Sequence, residues 1–196
     1  YEIGVRLVGS EMCIRDSVLT NGVTSKGMAY GLEDDLDNNF NALTENGKES
    51  IFAVQYSNAA ENMGGAAFCL AYPHNTGPGG CCGFYQPSFE LVNSFQVDAN
   101  GLPYLNGEYR TKKSVSVRNS DSSQDAVLAV NDNNIAVDPR LDFAVGRFGI
   151  PYKDWGFPEN GWVRDATNGG IFMPKKHVYS KAEDAAGMKA LYGGWA

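Results

Sequence analysis

The side chains best suited to chemistry are few in this chain and poorly spaced for it. Its two histidines, His74 and His177, stand about a hundred residues apart without neighbouring Cys or His ligands. Such a spacing predicts no metal site, and no cofactor is expected. Cys81 and Cys82 are adjacent. As a pair they could be small buried hydrophobes, reactive or metal-ligating thiols, or one of them could form a disulfide with Cys69. Metal binding would want a second Cys or His pair, and the chain has none. Glycoside hydrolysis needs two carboxylates about 5–10 Å apart in a cleft. Asp138, Asp142, Asp154, Glu159 and Asp165 are candidates, but any acidic chain offers as many. Asp138 reads better as a helix cap, and Asp142 as a surface residue or a partner for Arg140. Gly77-Pro78-Gly79-Gly80 lacks the following Lys-Ser/Thr of a phosphate cradle and reads as a tight turn. No GxSxG, HExxH or EF-hand pattern is present.

Aromatic side chains are the more informative set. Tyr72, Phe84, Tyr85, Tyr152, Trp155, Phe157 and Trp162 all fall in loop-like sequence. An aromatic face can stack on the apolar C–H face of a sugar while polar neighbours meet its hydroxyls. The candidate ligand-binding residues are therefore Trp155, Trp162, Tyr85, Phe84, Tyr152 and Tyr72. Trp155 and Trp162 lead because indole offers the largest flat face. The competing role for each ring is to pin a loop to the core.

Composition narrows the classes. The 196 residues carry a formal charge of −7 and are 43% hydrophobic. Enough apolar material is present for a packed core, and a basic phosphate-tracking surface is not expected, so nucleic acid is not expected as a partner. No apolar run approaches the ~20 residues that span a bilayer, and no signal peptide opens the chain.

Residues 1–17, YEIGVRLVGSEMCIRDS, have no clear period, cap or turn chemistry. They resemble a translated sequencing-library adapter: Met12 to Asp16 can be coded ATG TGT ATA AGA GAC, a string found within a transposase end. The expectation is that native sequence begins near Val18, in mid-gene, with any export signal or lipid anchor upstream. Without Glu2, Arg6, Glu11, Arg15 and Asp16 the formal charge is −6, and without Cys13 three cysteines remain.

Several elements follow from pattern. Leu32, Leu36, Phe40 and Leu43 recur at helical spacing and predict an amphipathic helix over about 29–45, with Gly47 as its stop. Residues 51–56 are apolar and β-prone, which predicts a strand. Residues 57–87 are rich in Gly, Asn and Pro and predict an irregular loop. Ser88 can cap a helix that carries Phe89, Val92 and Phe95 on one face. Asn100-Gly101 marks a turn. Residues 110–136 read as a polar surface loop. Asp138-Pro139 reads as a cap followed by proline at the first helical position. Residues 148–162, dense in Gly, Pro and aromatics, predict ordered loops pinned by buried rings. There is no internal repeat.

Several stretches in order resemble the SusD/RagB-type outer-membrane nutrient-binding lipoproteins. GPGGCCGFYQPS (77–88), LVNSFQVDANGLP (91–103), DPRLDFAVGRFGIPYKDWG (138–156) and WVRDATNGGIFMPKKHVY (162–179) are similar to blocks of one large subgroup. IFAVQYS (51–57) resembles a strand of that family, with Ser50 where an acidic residue often stands. The resemblance covers nearly all of residues 29–196. The chain stops where the family's last helices are still to come, so an internal or C-terminal-half fragment over 18–196 is expected. The fold class implied is mainly α with loop-rich regions and a few short strands. It would be part of a tetratricopeptide-type α/α fold lacking its N-terminal and last C-terminal helices.

The resemblance implies a non-catalytic cell-surface protein, anchored in the outer membrane through a lipid. It would deliver an oligosaccharide, or in some members a peptide, to a SusC-type TonB-dependent transporter. It implies no catalytic residue, and its ligand residues do not transfer position by position. Two alternatives stand beside it: a secreted glycan-degrading enzyme using the scattered carboxylates, and a transporter lid that never touches ligand. A fragment of such a fold would expose a face that packs on the missing helices.

Overall fold

The computed structural model describes residues 16–54, 71–80, 83–115, 134–166 and 170–188. Residues 1–15, the three cysteines at 69, 81 and 82, and most of the polar 110–136 stretch lie outside the described residues. The chain divides into two compact units, residues 1–56 and 57–196. The described residues form short helices and turns with only two short strands.

In the first unit, residues 16–21 are helical. Val23 and Ala29 then pair across a turn whose amides at Lys26 and Met28 donate to Thr24 Oγ1. The helix expected over 29–45 does not form as one element. Two 3-10 helices stand there instead, Leu36–Phe40 and Ala42–Thr44. Asp35 Oδ1 accepts from Asp37 N, and Asn41 Oδ1 accepts from Leu43 N, both at 2.9 Å. Short Asx side chains offer the backbone a local alternative to the helical ladder. Asn41, with φ −111° and ψ 128°, breaks the run at its centre. Glu33 and Glu49 tie residues 31–34 to 47–49 through Lys48 N→Glu33 Oε1 and Glu33 N→Glu49 Oε1. The strand expected at 51–56 is absent over the described 51–54, where Ile51, Phe52 and Val54 stand exposed. A β-prone run becomes a strand only with a ladder partner.

In the second unit the expected helix appears as Phe89–Ser94, with Ser88 Oγ accepting from Leu91 N at 3.1 Å. Val92 is buried, and Phe89 and Phe95 pack against the same core. Asn93 Oδ1 accepts from Val115 N, which fixes the following chain to this helix. At the Asn100-Gly101 turn Asp98 Oδ1 accepts from both Asn100 N and Leu102 N, while Gly101 takes φ +78°.

Asp138 Oδ1 accepts from Arg140 N as a cap should, and the helix itself spans Leu141–Ala144, two residues later than a proline at its first position would give. Asp142 pairs with Arg147 rather than Arg140: Nε and Nη2 reach its two oxygens at 2.6 and 2.9 Å. Arg147 is 3% exposed, so the bidentate partner is what makes its burial tolerable. Arg140 pairs with Asp138.

The strands are β1, Val145–Gly146, and β2, Met173–Pro174, paired antiparallel. Gly146 is required there because a Cβ would lie 2.7 Å from the Tyr152 ring. The last described helix, Lys181–Ala185, opens with a capping box: Glu183 N donates to Ser180 Oγ and Ser180 N to Glu183 Oε2. The two amides between them, of Lys181 and Ala182, donate to the two Asp154 oxygens. Every amide of that first turn therefore has a side-chain acceptor.

Candidate functional site

The loop-borne rings sort into two groups. Tyr72 and Tyr152 are fully buried and Trp162 is 6% exposed. Tyr152 meets Trp162 edge to face with centroids 5.3 Å apart, and its hydroxyl donates to Pro174 O. Tyr72 meets Tyr179 at 5.8 Å, and Trp155 meets Tyr179 at 5.9 Å. Trp155 is half-buried and its Nε1 donates to Tyr179 O at 2.9 Å. Burial, rather than the edge-to-face contacts alone, leaves Tyr72, Tyr152 and Trp162 little ring face open to a ligand here. Tyr152 and Trp162 pin the 148–162 loops, the role that competed with ligand contact, and Tyr72 supports the turn at Gly79. Phe84, Tyr85 and Phe157 remain exposed.

Phe84 is held in place by the chain around it. Gly83 N donates to Tyr72 O at 2.9 Å, and His74 N donates to Trp162 O at 2.8 Å. Residues 72–74 thus bridge residue 83 to residue 162. The 77–80 turn closes this bridge. Gly79 has φ +88°, and a Cβ there would sit 2.2 Å from Tyr72 Cδ2, so only glycine lets the turn lie on that ring. Gly83 has φ +64°, and a Cβ would lie 3.0 Å from both His74 Cβ and Arg164 Cβ. This close passage brings Phe84 beside Arg164, whose Cζ lies 3.9 Å from the Phe84 ring centroid. Gln86 Nε2 donates to Gly170 O at 2.9 Å, and Phe89 packs edge-on to Phe172. Residues 83–89 are therefore tied to the chain at 164–172.

The result is two adjacent exposed aromatics, Phe84 and Tyr85, with the Arg164 guanidinium over the first ring. Arg164 had no sequence signal as a site residue: its partner stands eighty positions away, and only the glycine at 83 hints at a close approach. Tyr179, a hub of the buried rings, was likewise not singled out.

Three of the five carboxylates raised for acid–base work have structural duties. Asp142 holds Arg147, and Asp154 holds the start of the last helix. Asp138 accepts from the Arg140 guanidinium and backbone amide, which lowers its pKa to about 2. His177 has its pKa lowered by desolvation and by the Lys176 and Lys153 ammonium groups, which favours a neutral ring at pH 7. Among the described residues no three His, Cys, Asp or Glu side chains are grouped to hold a metal ion.

A model of the SusD family (SusD_RagB) matches residues 48–190, more than half of the chain and all of the ring system. The chain belongs to the SusD family. No curated protein sequence matches it. The SusD family points to nutrient binding as an adjunct of outer-membrane transport. In this SusD-family chain the match takes in Phe84, Tyr85 and Arg164 together with the buried rings that support them.

Proposed function

We propose that this protein binds a nutrient oligosaccharide at the cell surface, does not transform it, and passes it to a SusC-type TonB-dependent transporter. On this reading the complete protein sits on the outer membrane through a lipid anchor, and the present region belongs to a fold built on tetratricopeptide-like helix pairs. Family membership over residues 48–190 carries the reading. The exposure of Phe84 and Tyr85 supports it locally, since exposed aromatic faces suit a sugar ring. The engagement of Asp138, Asp142 and Asp154 in caps and ion pairs favours binding over hydrolysis.

Calorimetry against a panel of oligosaccharides and peptides tests the reading, with co-purification from native membranes as the second arm. Oligosaccharide binding weakened by Phe84→Ala or Tyr85→Ala, with recovery of a transporter partner, is expected. Absence of ligand binding and of any transporter would overturn it. Hydrolysis of a bound sugar would overturn the non-catalytic part alone.

A further inference from the structure

We infer that residues 51–54 are a docking edge for a second copy of this chain. Two such segments pair antiparallel as β-strands, with Phe52 of each copy opposite Val54 of the other.

The segment has what a strand needs except a partner. Ile51, Phe52 and Val54 are 69%, 88% and 68% exposed, and Ala53 between them is exposed too. Among the described residues, no backbone amide or carbonyl of these four takes part in a hydrogen bond. Four consecutive residues thus offer backbone donors and acceptors beside β-branched and aromatic side chains. That combination is a template for strand addition. The shorter β1, Val145–Gly146, is buried and has its partner in β2.

Exposed strand edges are commonly guarded by a charge, a proline or a bulge. The stretch 50–57, SIFAVQYS, carries no charge, no proline and no glycine. An uncharged, β-prone run of this length is the signature of a segment that pairs with its own copies. The nearest charges before it, Lys48 and Glu49, are engaged within their own copy. Lys48 Nζ meets Asp34 Oδ2 at 3.0 Å, and Glu49 Oε1 accepts from Glu33 N at 2.6 Å. Parallel pairing in register would stack Lys48 on Lys48 and Glu49 on Glu49, like on like. Antiparallel pairing about Ala53 keeps each of them away from its own copy. In that register Phe52 and Val54 share a face, so an aromatic ring lies opposite a β-branched side chain twice in each pair. The net charge of −7 on each copy opposes approach, so association should strengthen as salt screens it.

The test is sedimentation velocity of the full chain from micromolar to near-millimolar protein, with reductant present so that no cysteine bridge forms. Hydrogen exchange at residues 51–54 is followed at both ends of that range. Reversible dimerisation is expected, with exchange at 51–54 slowing as concentration rises. Phe52→Lys should weaken association about tenfold or more, because two cross-strand pairs are lost in each dimer. Val54→Lys should act in the same direction and serves if the first variant does not fold. Phe52→Tyr, which keeps the ring, should retain association. A chain that stays monomeric over the whole range would overturn the inference. Association unchanged in both Lys variants would overturn it by placing the contact elsewhere. Slow exchange at 51–54 at every concentration would overturn it as well, since the partner would then belong to the same chain.

Discussion

Two stretches of this chain are similarly rich in apolar side chains and end in opposite states. Over residues 29–54, Leu32, Phe40, Leu43, Ile51, Phe52 and Val54 are all exposed. Over residues 141–180, Leu141, Val145, Tyr152, Trp162, Ile171, Phe172, Met173, Val178 and Tyr179 are all buried. Local pattern does not separate them. The second stretch has partners: two paired strands, a bidentate ion pair, and rings that meet edge to face. The first is held mainly by polar ties, with Asx caps at Asp35 and Asn41 and carboxylate bonds from Glu33 and Glu49. Burial energy is realised only where a second surface closes over the first.

The contrast can be broken most directly by truncating one large ring on each side. Phe172→Ala should cost about 3–5 kcal/mol in urea unfolding, the usual loss for a large buried ring. Phe52→Ala, with Phe52 88% exposed, should shift the midpoint little. Equal losses in the two variants would remove the distinction.

A subtler comparison uses neighbouring glycines in the 77–80 turn. Gly79 and Gly80 both have positive φ, but a Cβ at Gly80 meets nothing within 4 Å, while one at Gly79 strikes the Tyr72 ring. Gly80→Ala should cost about 1 kcal/mol for the left-handed backbone alone. Gly79→Ala should cost about 3 kcal/mol, because overpacking adds to that strain. Thermal midpoints of the pair would check this, and equal shifts would mean that the turn does not rest on the ring.

At the last helix, Ser180→Ala should lose about 1 kcal/mol, the common value for a cap. Equilibrium unfolding would measure it, and an unchanged midpoint would show the box to be redundant with Asp154.

The smallest effect concerns acid. Asp138 titrates near 2 in the folded chain against 3.8 for an unperturbed carboxyl, through its bonds to Arg140. Its contribution is therefore fully present above about pH 4 and is lost as pH falls through the folded value near 2. The difference in melting temperature between wild type and Asp138→Asn should be flat above pH 4 and shrink below it. A difference growing toward acid would contradict the sign.

What the sequence made legible was local. Ser88, with Phe89, Val92 and Phe95 after it, specified a capped amphipathic helix, and the helix is there. Asp98 and Asn100-Gly101 specified a turn by side-chain chemistry acting over four residues. The 29–45 periodicity misled because Asp35 and Asn41 cap shorter 3-10 pieces, and caps compete with the ladder over the same few residues. The loop-borne rings were legible as a class, but which of them the fold covers was not. Ring type does not tell that Trp162 will be covered while Phe157 is not, since covering comes from residues far along the chain. Arg164 stayed hidden for the same reason: its meaning lies in an eighty-residue return to Phe84 that no spacing rule encodes.

The edge-to-face ring system also gives this molecule an optical property. Tyr152 lies against Trp162, and Tyr179 against Trp155, with centroids under 6 Å apart. At such separations excitation of a tyrosine passes to the indole before it can be emitted, so Tyr152 and Tyr179 should emit through tryptophan in the folded second unit. Loss of the core would free the emission of these two tyrosines, and the rise of the tyrosine band would follow the opening of these loops without any added label.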